Sequence, residues 1–332
     1  MNMKTIYSLW LMVCVFLLAG CDDASSTMHP DPIPTTDVTL RIALEGTSSR
    51  VGETDNQNSS SEGLRTLRIV VFSQVSKTIV YNQKFTTLAS TLTLEDIPVG
   101  ASAIFAFGNE ESLGVEYTNE ELAKLLVEEN NYKVLFTDNA QSYIFPLLAT
   151  SDHFTKNGLP ISGRTDVTIA PNQPTIEMAL TRSVVKLNFQ IENATTQPIN
   201  LQKTTFGKFI SNQLYLFRQQ TLDIPGTVEY REFTFIEQGN GFAIQPGTPS
   251  DPLVAYILPS DPPIAGQTEN PFWISLETAK GVYGKQTLGD IDYLYRNTQL
   301  NILARITSEV NIVINFQVAP WDNYNVDVPS FD

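Results

Sequence analysis

The sequence predicts a mostly β protein of the sandwich or barrel type. Three observations support this class. Apolar residues recur at every second position over many short segments, Gly, Pro, Asn and Asp separate those segments, and only one segment has a helical period. Because only one predicted helix interrupts the series of predicted strands, βαβ units are disfavoured.

The first twenty residues have the build of an export signal. Lys4 precedes the apolar run from Ile6 to Leu18, which ends in Ala19-Gly20-Cys21. This run is too short and wrongly flanked for a permanent transmembrane helix. The ending resembles a lipobox, which predicts cleavage between Gly20 and Cys21 and acylation of Cys21. An ordinary secretory signal with a chance cysteine is the alternative.

Composition excludes several classes of function. The chain carries a formal net charge of −15, and loss of Lys4 with the signal leaves −16. Such a chain is repelled by nucleic acid and by anionic membranes, so the lipid must provide any anchoring. Two histidines and two cysteines supply no His/Cys metal site. No catalytic or nucleotide-binding motif is present, although paired carboxylates leave no signature. We therefore expect no enzyme activity, cofactor or metal.

The predicted tether, residues 21–36, leads into a first β-sandwich-type unit over residues 37–180. Its first strand places apolar side chains at period two, at Val38, Leu40, Ile42 and Leu44. A helix is predicted at Asn119–Glu129, after the N-cap Thr118. The other predicted strands are 67–72, 78–85, 90–94, 101–107, 143–148, 166–170 and 175–180.

The second unit is predicted over residues 181–332. Its regular end alternates from Ile312 to Val318, and the closing segment alternates again at Tyr324, Val326 and Val328. Earlier strands are predicted at 184–191, 205–210, 228–236, 252–258, 272–277, 282–287 and 300–304.

Six short motifs follow the lipobox-like ending in a fixed order. They are Ile97-Pro98-Val99-Gly100, Phe107-Gly108-Asn109, Phe145-Pro146-Leu147, Leu180 to Leu187, Tyr295-Arg296-Asn297 and Val318-Ala319-Pro320-Trp321. Together these segments resemble the fimbrillin family, the type V pilins of Gram-negative anaerobes. Gln299 and Asn301 depart from the family pattern, in which an aromatic residue is common after Arg-Asn.

The resemblance implies two tandem β-sandwich (transthyretin-like) domains and a structural subunit of an adhesive fimbrium. It implies export as a lipoprotein to the cell surface, lipid-anchored in the outer membrane through Cys21. It further implies that a trypsin-like protease removes the first strand and that a strand from another fimbrial subunit replaces it.

Arg50 is the predicted maturation site, with Val51 as the new first residue. It follows Gly46-Thr47-Ser48-Ser49, a small polar stretch where nicking is favoured. Arg41 is a poorer site because it lies inside the first strand. Tyr324, Val326 and Val328 repeat the spacing of Leu40, Ile42 and Leu44 and are the candidate donor strand. The alternatives are an ordinary loop arginine and a last strand that stays in its own sandwich.

Two further roles stay open. An anchor subunit would keep its lipid and remain uncut, and a tip subunit would be adhesive. Outside the family, a surface lipoprotein could bind glycan or protein, with Trp273 and tyrosines as stacking groups.

Overall fold

A computed structural model describes residues 33–44, 62–113, 143–144, 157–214, 216–217, 228–263, 269–309 and 311–321. Its strands all belong to the unit Thr35–Asp332, while Met1–Pro34 forms a separate unit. Seventeen strands and one short 3-10 helix, Glu110–Leu113, are the named elements of these residues. Within the described part, no helix is long and apolar enough to span a membrane. The prediction of a mostly β fold is confirmed.

The first sheet has seven strands, in the order β3-β2-β5-β7-β8-β1-β4. β7 and β8 pair at only two positions, Ile161↔Arg182 and Ser162↔Thr181, so the sheet divides there into two parts. Side chains from both parts form one core, which includes Leu40, Ile69 and Ile104. The strands are β1 Thr35–Leu44, β2 Leu67–Ser73, β3 Thr78–Phe85, β4 Thr91–Pro98, β5 Gly100–Gly108, β7 Ile161–Ile169 and β8 Ile176–Arg182.

Two four-stranded sheets follow, with the orders β12-β10-β14-β15 and β13-β9-β16-β17. Both sheets contribute to a second core, in which Phe189, Phe206 and Ile302 are buried. This is the arrangement of a β-sandwich. The strands are β9 Val185–Asn193, β10 Ile199–Ser211, β12 Tyr230–Ile244, β13 Leu253–Ile257, β14 Trp273–Thr278, β15 Gly281–Thr287, β16 Thr298–Ile306 and β17 Ile312–Pro320.

A third apolar cluster draws on both halves of the sequence. Phe105 and Phe107 from β5 meet Phe217, with ring centroids 5.2 and 6.4 Å apart. Tyr256 of β13 and Trp321 belong to the same cluster. Nearby, the two-residue strands β6 Tyr143–Ile144 and β11 Gln213–Leu214 pair with each other. The predicted boundary between residues 180 and 181 stays a prediction.

Most predicted strands lie where the apolar spacing places them, but several are longer. β7 begins at Ile161 and β10 at Ile199, while β4 continues to Pro98 and β12 to Ile244. In β10 the missed start is Ile199 to Thr204, where buried Ile199 and Leu201 alternate with polar residues. Their burial depends on pairing with β12 and β14. The predicted helix 119–129 lies outside the described residues.

Candidate functional site: the first strand in its groove

β1 is an interior strand of the first sheet and lies between two strands that are distant in sequence, β8 and the edge strand β4. Its second half, Leu40–Leu44, runs parallel to Ile176–Leu180 of β8. Its other side pairs antiparallel with β4, and the backbone N–H of Ile42 donates to Ser90 O at 2.9 Å. β1 therefore fills a groove between β8 and β4, and its backbone pairs with both of these strands.

The core-facing side chains of β1 are the four that the period-two pattern predicts. Val38, Leu40 and Ile42 are 0 % exposed and Leu44 is 6 % exposed. Burial of an aliphatic side chain of this size contributes about 1.5–3 kcal/mol. Removing β1 would therefore expose an apolar groove, and the predicted set Val38, Leu40, Ile42 and Leu44 forms one continuous stripe.

Polar side-chain contacts contribute little to the stability of β1 in the sheet. Arg41 Nη1 lies 2.6 Å from Glu177 Oε1, but both side chains are largely exposed. Such exposed ion pairs are worth about 0–1 kcal/mol. Asp37 Oδ1 also accepts a hydrogen bond from the Asp96 backbone N–H at 3.3 Å. Since backbone pairing and apolar spacing dominate, another strand with the same spacing could replace β1.

β4 depends on β1 for its place in the sheet. Among the described strands, β4 pairs with β1 alone and forms one end of the sheet order. A bulge between Thr36 and Val38 faces the end of β4, where Asp96 has a φ of 57°. Loss of β1 would leave β4 without a ladder partner and β8 with its two pairs to β7.

Glu62 is a carboxylate held between β9 and β13. Glu62 Oε1 lies 2.7 Å from Lys186 Nζ of β9 and accepts a hydrogen bond from Tyr256 OH at 2.9 Å. These contacts hold Glu62, which follows the predicted cleavage site in the sequence. Arg50 and Val51 themselves lie outside the described residues.

Trp321, the last described residue, packs on the same side chains. Its ring lies parallel to that of Tyr256, with centroids 5.9 Å apart. The Arg182 guanidinium carbon lies 4.8 Å from the Trp321 ring centroid, and Lys186 Nζ lies 5.6 Å from it. Trp321 and Glu62 thus share Tyr256 and Lys186 as contact residues. The candidate donor residues Tyr324, Val326 and Val328 lie outside the described residues.

The motif residues Asn109 and Arg296 organise buried turns. Asn109, with a φ of 55°, accepts hydrogen bonds from the backbone N–H groups of Arg65 and Thr66 at 2.8 and 3.3 Å. Its amide donates to Leu159 O at 2.7 Å. Arg296 donates to Leu216 O at 2.7 Å, and burial lowers its pKa to about 10. The hydrogen bonds of Asn109 and Arg296 thus fix turns in the fold that contains the groove.

Sequence reasoning did not identify Glu62, Lys186 or Glu177 as contacts of the site. Each meets a partner more than a hundred residues away, so no local pattern could reveal it. The predicted lipidation and signal-cleavage residues, Gly20 and Cys21, lie outside the described residues. Trp273 is 6 % exposed, with Lys285 Nζ 4.6 Å from its ring centroid. A buried ring of this kind presents little surface for glycan stacking.

A family model described as "Fimbrillin-A associated anchor proteins Mfa1 and Mfa2" matches residues 30–327. The chain belongs to this family. The match covers the seven-stranded sheet, the two four-stranded sheets and the groove of β1. The fimbrillin resemblance inferred from the motifs is confirmed, and with it the assignment to a family of fimbrium-associated surface proteins. Among curated proteins, no sequence matches this chain significantly.

Solved structures of fimbrial proteins share the family fold. The tip fimbrial protein Mfa3 from Porphyromonas gingivalis, with a C-terminal truncation, is 17 % identical with a TM-score of 0.55. That comparison covers 86 % of this chain and 100 % of Mfa3. The fimbrilin FimA from Porphyromonas gingivalis W83 is 13 % identical with a TM-score of 0.51, over 89 % and 100 % of the two chains. At these identities the likeness establishes the fold alone.

Proposed function

We propose that this protein is a structural, non-enzymatic subunit of an adhesive cell-surface fimbrium, exported as a lipoprotein through Cys21. A trypsin-like protease cuts between Arg50 and Val51, and a strand of a neighbouring subunit then takes the place of β1. The observation that carries this proposal is the position of β1 in its sheet. It is an interior strand held by backbone pairing on both sides and by four buried apolar side chains.

The physical argument concerns what cleavage would expose. A cut after Arg50 separates residues 21–50, including β1, from the rest of the chain. The groove between β8 and β4 would then present apolar side chains and unpaired backbone groups, a state that favours strand addition. The tail residues Tyr324, Val326 and Val328 have the matching spacing and follow Trp321, which is buried.

Trypsin treatment of the purified uncut protein tests this proposal. We expect a product that begins at Val51 and forms oligomers, measured by N-terminal sequencing and by light scattering after size exclusion. Arg50→Gln should block both steps. Arg41→Gln is the matched control, because Arg41 lies within paired β1 and its removal should leave both steps unchanged.

A donor variant separates cleavage from assembly. Val326→Asp should leave cleavage intact and abolish oligomers, because a charge cannot enter the apolar groove. Oligomers that persist in this variant would exclude the tail as donor. Cleavage at Val51 without any oligomer in the unmodified protein would refute strand exchange.

The anchor role is a second candidate, and the description of the matching family favours it. In that role β1 stays in its groove and the acyl groups on Cys21 hold the protein in the outer membrane. N-terminal analysis of protein from cells labelled with a palmitate analogue distinguishes the two. An unlabelled start at Val51 supports the exchanging subunit, while a blocked, labelled Cys21 supports the anchor.

A further inference from the structure

Edge strands in this protein differ in how they are protected against pairing. β3 carries Lys84, β4 carries Glu95 and Asp96, and β15 carries Lys285. β12 carries charges as well, and β13 is only five residues long. Charged residues and short length are common devices that prevent one sheet edge from pairing with another.

β17 has neither form of protection. It is a nine-residue edge strand without a charged side chain, Ile-Val-Ile-Asn-Phe-Gln-Val-Ala-Pro. Among the described strands it pairs with β16 alone, over the full range from Ile312 to Pro320. The backbone N–H and C=O groups on the outer side of β17 therefore have no partner among the described strands.

The side chains of β17 are also incompletely buried. Ile312, Ile314 and Phe316 pack against the second core but are only partly buried. Val318 shares their spacing and is 41 % exposed, although its cross-strand partner Leu300 is 0 % exposed. An additional strand beside β17 would cover this row.

We infer that β17 is an interface between two copies of this chain, in which the two β17 strands pair antiparallel and continue one sheet across both molecules. A two-fold arrangement suits an edge that must be complementary to itself. The absence of charged side chains also favours β17 as the interface. Each copy carries a net charge of −15, so an uncharged edge is where two copies approach with least repulsion. The inference is independent of Arg50, β1 and the tail.

Two exposed valines give a matched pair of variants. Val313 of β17 is 44 % exposed and Val282 of β15 is 70 % exposed. Sedimentation velocity on the uncut protein should show a concentration-dependent dimer. Val313→Lys should weaken the dimer at least about tenfold, because the two-fold axis brings two added lysines to one interface. Val282→Lys should leave it unchanged. Gln317→Lys, also on the exposed side of β17, should repeat the effect of Val313→Lys.

Hydrogen exchange identifies the strand that pairs. Protection of β17 amides should increase with protein concentration, while protection of β1 and β4 stays constant. A protein that is monomeric at every concentration, or a dimer weakened equally by both valine variants, would overturn the inference. Protection of β17 that is complete in the dilute monomer would also overturn it, since residues of the same chain would then cover the edge.

Discussion

At the residue scale, the buried polar side chains hold turns that hydrophobic burial alone would not fix. Asn109 is 0 % exposed and satisfies backbone groups on both sides of its turn, including Gly63 O at 3.0 Å. Gly158 packs against it so closely that a Cβ there would lie 2.4 Å from Asn109 Nδ2. Asn109 therefore joins the segment before β2 to the segment before β7.

Asn109→Ala should lower the free energy of unfolding by about 3 kcal/mol, measured by chemical denaturation. The substitution leaves buried backbone groups without partners and places alanine at a positive φ. Asn172→Ala is the matched control, since Asn172 has a φ of 56° in an exposed turn. It should cost about 1 kcal/mol, the conformational part alone. Equal losses in both variants would show that the hydrogen bonds of Asn109 contribute nothing.

Glu111 gives the protein an acid-sensitive contact. Partial burial by itself raises its pKa, but hydrogen bonds from Lys84 and Thr66 outweigh burial, and the pKa lies below the ordinary 4.5. A lowered folded-state pKa means that this contribution is complete above about pH 4.5 and is lost as the pH falls through the folded-state pKa.

Glu111→Gln should therefore flatten the loss of stability below about pH 4.5, measured as the denaturation midpoint against pH. Glu269→Gln provides the comparison. A hydrogen bond from Lys285 lowers the Glu269 pKa, but that carboxylate is fully exposed. We expect a smaller change in its pH profile, because solvent screens exposed pairs. Identical pH profiles for Glu111→Gln and the unmodified protein would refute this assignment.

At the element scale, loss of β1 would remove the described pairing partner of β4. β1 separates β8 from β4, and no other described strand pairs with β4. Hydrogen bonds from β1 therefore hold β4 in the sheet, whereas β2 and β5 pair with each other and with further neighbours.

Leu40→Ala combined with Ile42→Ala should accelerate amide exchange in β4 far more than in β2 or β5. Each substitution removes a buried aliphatic side chain at a cost of about 2–5 kcal/mol, which favours local opening of β1. Hydrogen exchange with mass spectrometry measures this difference. Thr39→Ala, on the less buried side of the strand, should leave β4 protected. Uniform acceleration across the first sheet would show that β1 and β4 do not open as a local unit.

At the scale of the whole molecule, the net negative charge opposes the assembly of subunits, which an empty β1 groove would favour. The chain carries a formal net charge of −15 and a cut after Arg50 removes a segment with a net charge of −2, so cut copies still carry −13 and repel one another. The screening length falls from about 10 Å at 0.1 M salt to about 3 Å at 1 M. Salt should therefore speed association between like-charged subunits without changing the strand that pairs.

Protein cut beforehand at Arg50 should form oligomers faster as NaCl increases from 0.1 to 1 M, followed by light scattering. Cutting first removes any effect of salt on the protease. Sucrose at equal osmolality is the control, and it should not reproduce the acceleration. A rate that falls with salt would indicate that attractive charge contacts, rather than repulsion, govern the encounter.

The sequence by itself determined the local properties of this protein. Val38, Leu40, Ile42 and Leu44 fix both the first strand and its buried face, because alternation at period two is a property of neighbouring residues. The family motifs likewise depend on short runs, and the match over residues 30–327 agrees with them.

Only the tertiary structure decided which strands meet. β1 runs parallel to β8 although some 130 residues separate them, and Arg41 thereby lies beside Glu177, 136 residues away. Glu62 and Trp321, from near the two ends of the described chain, pack on Lys186 and Tyr256. Such contacts depend on the closure of long loops and on the order of strands in a sheet, and neither leaves a local pattern in the sequence.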